Sequence, residues 1–364
     1  MGISTLWGEK MVTFLFAGHN FHFIEGLIDR FSRDGHTILR DQWKGHAIHD
    51  EEVSHSLLKQ ADIIICEWAL GNSVWYSNHK KPNQRLFIRF HRQEIETDYP
   101  NQINWSSVEK MAFAAPYFQA QAIEKFSIPP EKTTFIPNYV ETSRFALAKS
   151  RDSKYTIGML GIIPQLKRLD RALDILKIVR AQEPRFNLRI KGKLPEDYAW
   201  MLKREEEMNW YQEQFARIKS DPILNGHVHF DKWGPDVPQW FTKISHIISV
   251  SDYEGSHQAV AEGASSGAIP TIVKWNGAEQ IYPSDWCYDD VLSAAAAILT
   301  KSSKSKNGLE WSRVIRKRYD IKRIYNCWNK LLGIEKSLLS RFLSSLTNLF
   351  PPSSSSTELQ GGEK

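Results

Sequence analysis

The sequence predicts an α/β protein with parallel sheets and room for two domains. Three observations carry that prediction. Apolar β-type runs alternate with amphipathic stretches along most of the chain, which is the pattern of strands joined by crossover helices. One such unit is complete: Ile247-Ile248-Ser249-Val250 as a buried strand, a tight loop with a glycine, a small-residue helix from Gln258 to Ser266 ending at Gly267, and the strand Ala268 to Val273. The 364 residues are enough for two domains of ordinary size, and the polar stretch Arg144 to Lys154 reads as their linker.

The first half opens with Met11 to Phe16, a β-type run ending at Ala17-Gly18-His19-Asn20. A helix is expected from Phe23 to Arg33, with Phe23, Ile24, Leu27, Ile28 and Phe31 on one face. Gly35-His36 turns the chain into Thr37-Ile38-Leu39, so the order is β, α, β with a right-handed crossover. Ligands in such sheets sit at the carboxyl ends of strands, which puts Gly18, His19 and Asn20 at a candidate site. The strands Ala61 to Glu67 and Leu86 to His91 follow, and His91 falls at a carboxyl end. Val108 to Ala115, Tyr117 to Phe126 and Ile128 to Glu141 follow.

In the second half, Tyr155 to Gly161 is a strand with glycines that permit close approach. Lys167 and Arg168 precede an amphipathic helix running through Arg180. Cations at a helix start oppose the dipole, so an anionic partner would account for them. Phe186 to Gly192 is the next strand, and a long helix is expected from Tyr198 to Ser220. His227 and His229 share a strand face, but no third ligand is placed beside them and no metal site is read there. Asp289 to Leu299 and Leu309 to Leu332 read as further helices.

The loop Ser251-Asp252-Tyr253-Glu254-Gly255-Ser256-His257 carries the chemistry. The first amides of a helix lack intrahelical partners and sit at the positive end of its dipole. Gly255 lets a ligand approach, and the amides of Ser256 to Gln258 would face a phosphate. Glu254 stands before the helix and Glu262 two turns into it. A carboxylate only accepts hydrogen bonds, which suits paired sugar hydroxyls.

Glu254-x7-Glu262, followed by Gly267-Ala268-Ile269-Pro270 and Asn276-Gly277-Ala278-Glu279, resembles the donor-site signature of retaining glycosyltransferases of the GT-B fold, family four. Other stretches agree in the right order across about residues 11 to 330: Gly18, His91 within Phe-His-Arg-Gln-Glu, Pro137-Asn138, and Lys167-Arg168. Tyr139 and Glu141 depart from the usual Gly and Asp. The resemblance implies two Rossmann-like domains with parallel sheets facing across a cleft. Within the first it implies a strand at Val108 to Ala115, a helix at Tyr117 to Phe126, and the close of the domain at Ile128 to Glu141. It implies an acceptor-side domain over 1–143, a linker over 144–154, a nucleotide-sugar domain over 155–300, and helices over 301–333 packing back across the cleft.

The implied activity is retaining transfer of a sugar from a nucleoside diphosphate sugar, UDP- or GDP-linked, to a hydroxyl of a glycan or lipid-linked acceptor. In that reading His91 lies near the reacting carbon, Lys167 and Arg168 hold the diphosphate, and Glu254 contacts the sugar. Glu262 holds the ribose, while Gly18, Gly255, Ser256 and His257 complete the donor site. No cofactor or metal is expected. A GT-B epimerase or phosphorylase is a second reading, and a catalytically degenerate GT-B protein acting as a membrane or partner binding module a third.

Composition narrows the setting. No run of about 18 apolar residues exists to span a membrane, and no signal-peptide pattern opens the chain. Cys66, Cys287 and Cys327 are too scattered for a disulfide frame and fit a reducing, cytoplasmic compartment. The net charge is +5, yet residues 301–323 hold nine Lys/Arg against Glu310 and Asp320, a net of +7, leaving about −2 elsewhere. The helices of this patch also carry Trp311, Tyr319, Tyr325 and Trp328, but no aromatic-basic interleaving of an RNA-binding type appears elsewhere, so nucleic acid is not an expected partner. Ile334, Leu338, Leu339, Phe342, Leu343, Leu346, Leu349 and Phe350 fall on one half of a helical wheel. With the basic segment, residues 301–350 are expected to offer a peripheral membrane surface, or to pack on the protein itself. Residues 351–364 read as disordered.

Overall fold

The computed structural model describes residues 11–304 and 308–334. The stretch 335–350 and the tail 351–364 lie outside the described residues.

Two six-stranded sheets, each wholly parallel, organise the chain. The first holds β1 (Thr13–Gly18), β2 (Thr37–Gln42), β3 (Ile63–Glu67), β4 (Arg85–Phe90), β5 (Lys110–Phe113) and β6 (Thr133–Phe135), in the order β2-β1-β3-β4-β5-β6. Its crossovers carry α1 (Glu25–Arg33), α2 (Glu51–Leu58), α3 (Gly71–His79), α4 (Tyr99–Gln102) and α5 (Pro116–Phe126). The second holds β7 (Thr156–Leu160), β8 (Asn187–Lys191), β9 (Val228–Asp231), β10 (His246–Ser249), β11 (Ile269–Val273) and β12 (Cys287–Tyr288), in the order β12-β11-β10-β7-β8-β9. Its helices are α6 (Leu169–Gln182), α7 (Glu205–Ser220), α8 (Val237–Phe241), α9 (Gln258–Ser265), α10 (Ala278–Ile281) and α11 (Val291–Lys304).

Strand order reverses between β1 and β3 in one sheet and between β7 and β10 in the other. Those switch points open crevices beyond the strand carboxyl ends. β3 and β4 are buried on both faces, as strands covered by helices on both sides are.

The last described helices return to the first domain. α12 (Leu309–Tyr319) packs on α9, while α13 (Ile321–Leu332) buries Ile321, Ile324, Tyr325, Trp328 and Leu332 against α1 and β1. The spacing of these five residues is that of one helical face. The two chain crossings run side by side: Val140 N–H donates to Tyr319 O at 2.7 Å and Ile321 N–H to Val140 O at 3.0 Å. Tyr139 does not take the left-handed turn that the usual Gly would allow. Its buried hydroxyl accepts from Gly26 N–H at 2.8 Å, tying this segment to α1.

Some elements differ from expectation. The helix expected from Tyr198 begins at Glu205, because 195–203 forms two 3₁₀ turns that bury Met201. Glu205, Glu206 and Glu207 then fill the first turn, where the dipole favours acidic groups. α1 starts at Glu25, since Ile24 is its non-helical boundary. α11 starts at Val291 and runs on to Lys304. The stretch 144–154 is pinned to the second domain: Lys149 Nζ donates to Phe241 O at 2.9 Å, Ile244 O at 2.7 Å and Ser266 Oγ at 2.9 Å.

Candidate functional site

A cavity of about 260 Å³ lies between the carboxyl ends of the two sheets. Phe23, Trp68, His91, Arg92 and Asn138 line it from the first domain. Lys167 and Glu254 to Gln258 line it from the second.

The second-domain wall follows from local sequence. β10 ends at Ser249, and the loop 250–257 delivers Glu254 to the start of α9. Glu254 is buried and accepts from Lys167 Nζ at 2.5 Å and Ser251 Oγ at 2.7 Å. Burial opposes its ionisation, but His257, Lys167 and these bonds hold the carboxyl below its ordinary range. Gly255 lies against the first domain, where an added Cβ would stand 3.4 Å from Arg92 Cβ. Arg92 in turn stacks its guanidinium over the Tyr253 ring at 4.8 Å.

His257 caps α9 with a left-handed backbone, φ 33°. Trp275 Nε1–H donates to Ser249 Oγ at 3.2 Å, and Ser249 Oγ lies 2.5 Å from His257 Nδ1. An indole only donates, so the buried Ser249 hydroxyl accepts from Trp275 and shares one hydrogen bond with His257 Nδ1, which leaves Nε2 as the second ring nitrogen. That nitrogen is buried without a partner among the described residues. Burial pushes the imidazole down to about 4.

The first-domain wall contains a group of charged side chains that sequence reasoning missed. Glu67 and Arg89 are register partners on β3 and β4. Arg89 Nη1 donates to both carboxylate oxygens of Glu67, at 2.9 and 3.0 Å, and both residues are almost fully buried. His91 Nε2 donates to Glu67 Oε1 at 3.0 Å. Burial opposes the Glu67 charge, but Arg89 and His91 hold its carboxyl below the usual range. Arg89 Nη2 also donates to Asn138 Oδ1 at 2.5 Å, and Asn138 Nδ2 to Ser256 Oγ at 3.1 Å. The His91 ring packs on Trp68 at 4.2 Å and Phe23 at 5.1 Å between centroids. The buried Glu94 carboxylate accepts from the amides of Ala69 and His91, both at 3.1 Å, and so fixes both loops. A charged residue inside an apolar strand, such as Glu67 or Arg89, was the one signal available.

The structure therefore gathers His91, Lys167, Glu254, Gly255, Ser256 and His257 around one cavity. Gly18, Arg168 and Glu262 do not line it. Gly18 ends β1, where an added Cβ would stand 2.7 Å from Glu67 O. Arg168 points into a neighbouring recess and is paired with Asp170 at 2.7 Å and Asp252 at 2.8 Å. Glu262 lies on α9 near Arg144, and burial raises its carboxyl to about 7. Glu279 pairs with Lys274 at 3.3 Å outside the cavity. Among the described residues one group, Glu51, His55 and His79, brings three ligand atoms within 4.8 Å of one another. It sits on α2 and α3, away from the cavity lining.

No family model and no curated protein matches this sequence. Solved structures do. HepE of Anabaena, in complex with UDP and glucose, aligns over 88% of this chain and 99% of its own at 13% identity and TM-score 0.65. A glycosyltransferase of Rickettsia africae aligns over 94% of this chain and 100% of its own at 12% identity and TM-score 0.67. A UDP-forming α,α-trehalose-phosphate synthase of Burkholderia xenovorans aligns over 90% of this chain and 100% of its own at 10% identity and TM-score 0.65. The chain has the GT-B fold. In GT-B terms the cavity lies in the cleft between the two Rossmann-like domains, under loops contributed by both. No helix among the described residues is long and apolar enough to cross a membrane.

Proposed function

We propose that this GT-B protein is a hexosyltransferase that moves a sugar from a nucleoside diphosphate sugar to an acceptor hydroxyl with retention of configuration. The observation that carries the reading is the cavity itself. It joins His91 from one domain to Lys167, Glu254 and the amides at the start of α9 from the other.

In the reaction the acceptor oxygen bonds to the anomeric carbon as the bond from that carbon to the phosphate oxygen breaks. The acceptor proton passes to the departing diphosphate. Lys167 is the cation placed to meet the charge on that leaving group, and helix amides add to it. Its pairing with Glu254 holds the ammonium in place before the donor binds. Glu254 then faces the sugar as an acceptor of hydroxyl hydrogens. His91 lines the cavity on the acceptor side. Glu262 is the carboxylate assigned to the ribose and Arg168 a second diphosphate cation, each reached by a shift of the loops around α9 and β7.

UDP is the first base to test, because solved relatives of this fold hold UDP, UDP-glucose, or UDP with N-acetylglucosamine. The acceptor is a glycan or lipid-linked glycan, in polysaccharide, glycolipid or cell-envelope synthesis on the cytoplasmic side. Peripheral membrane contact is favoured by one observation. A cleft of about 760 Å³ between α1 and α13 is lined by Arg30, Arg316, Lys322, Arg323 and Lys330 against Asp320 alone.

The test is nucleotide release from UDP-glucose, UDP-N-acetylglucosamine and GDP-mannose, with Lys167→Ala as control. Release that falls more than ~10²-fold in the variant supports the reading. Undiminished release in the variant removes Lys167 from it.

A further inference from the structure

Glu67 is an almost fully buried carboxylate at the end of β3, with no place in the reaction described above. A carboxylate held ionised can only accept hydrogen bonds. His91 Nε2 lies 3.0 Å from Glu67 Oε1, so Nε2 carries the ring hydrogen. Arg89 meets the Glu67 charge with two bonds of its own, and no second proton on His91 is needed to balance it. Nδ1 has no protein partner among the described residues and is not sealed from solvent. With His91 lining the cavity, Nδ1 is the ring nitrogen left for a ligand. The ring cannot turn to exchange its nitrogens freely, because Trp68 and Phe23 pack on it.

We propose that Glu67 is a positioning residue that holds His91 as the Nε2–H tautomer, so that Nδ1 presents a lone pair to a hydroxyl of the sugar being transferred. The proposal rests on the glycosyl-transfer reading. A lone pair repels phosphate oxygen and accepts from a hydroxyl, so this wall selects the sugar end of the donor while Lys167 meets the diphosphate. The aromatic faces of Trp68 and Phe23 suit the C–H faces of a sugar ring. Arg89 carries the arrangement onward to Asn138 and, through it, to Ser256 of the opposite domain.

The substitution that tests this is Glu67→Gln. Its carbonyl still accepts from Arg89, but its amide donates toward Nε2 and drives the ring hydrogen to Nδ1. Histidine-selective nitrogen NMR at pH 8, assigned with His91→Asn, should show Nε2–H in the wild type and Nδ1–H in the variant. Turnover of UDP-glucose should fall by about tenfold to a hundredfold, with UDP affinity held within about twofold. A wild-type ring protonated on Nδ1 overturns the proposal, as does a folded variant with the switched tautomer and unchanged turnover. A fall in UDP affinity equal to the fall in turnover also counts against it, because a structural role alone would give that result. If the variant does not fold, Glu67→Gln with Arg89→Met removes the unmatched charge and carries the same two readouts. A wild type that binds none of UDP, GDP and ADP and turns over none of their sugars overturns the transfer reading and the sugar assignment with it, while the tautomer measurement still judges Glu67 independently.

Discussion

Asn138 Nδ2 donates to Ser256 Oγ at 3.1 Å, joining the segment after β6 to the loop before α9. Asn138 is itself held by Arg89, so the loop before α9 in one domain is registered on the buried charge pair of the other. Gln258 Nε2 adds a second bond across the gap, to Tyr139 O at 2.8 Å.

This linkage predicts coupling. Asn138→Ala and Ser256→Ala should each destabilise the chain, and their double-mutant cycle should show an interaction of about 1 kcal/mol. Asn138→Ala should be the costlier, since it strips a partner from buried Arg89. Urea unfolding of the four proteins measures both, and strict additivity would deny the link.

Gly18→Ala should act on stability. Its Cβ would stand 2.7 Å from Glu67 O, a backbone atom that cannot swing aside. Overpacking of this kind costs about 1–3 kcal/mol. Thermal denaturation should show the loss, and binding of UDP to the folded fraction should stay near wild type. A loss of nucleotide affinity without a loss of stability would place Gly18 at the donor instead.

Stability should fall in mild acid. Burial pushes His257 down to about 4 and His246 down to about 3, while the unfolded chain takes up these protons near its ordinary value of about 6.5. Between those limits the unfolded state binds two more protons on these rings while the folded state binds one more on Glu262, raised to about 7, so the balance still lowers stability as pH falls from about 6.5 toward 4. His257 alone accounts for about 3 kcal/mol of that slope. His257→Asn tolerates the left-handed backbone and should flatten the profile between pH 6.5 and 4. A variant as acid-sensitive as the wild type would contradict the assignment.

The basic cleft gives a separable prediction. Arg316→Gln, Lys322→Gln, Arg323→Gln and Lys330→Gln together should weaken binding to vesicles containing phosphatidylserine by about 1 kcal/mol per charge removed. Sedimentation with such vesicles reads the effect, and equal binding to neutral vesicles would remove the membrane role from this cleft.

Much of the second domain was legible because its signals are local. The stretch from Ile247 to Val273 holds a strand, a loop and a helix within one short window, and the structure has all three. The first domain was harder. α3 buries Gly71, Asn72, Ser73 and Ser77, so no apolar stripe announces it. Glu67 meets Arg89 only through the parallel register of β3 and β4, which a single sequence does not print. Lys167 and Arg168 are adjacent in sequence yet diverge, because the left-handed backbone at Arg168 turns its side chain to Asp170 and Asp252.

The measurement that bears most directly on the central claim is thermal stabilisation of the whole chain by UDP, GDP, ADP and CMP and their sugars, repeated on Glu262→Ala and Lys167→Ala. The account predicts a shift with one nucleoside diphosphate, larger with its sugar attached and lost or strongly reduced in both variants. The absence of any shift in the wild type, or a shift that both variants keep in full, would contradict a nucleotide-sugar site in this cleft.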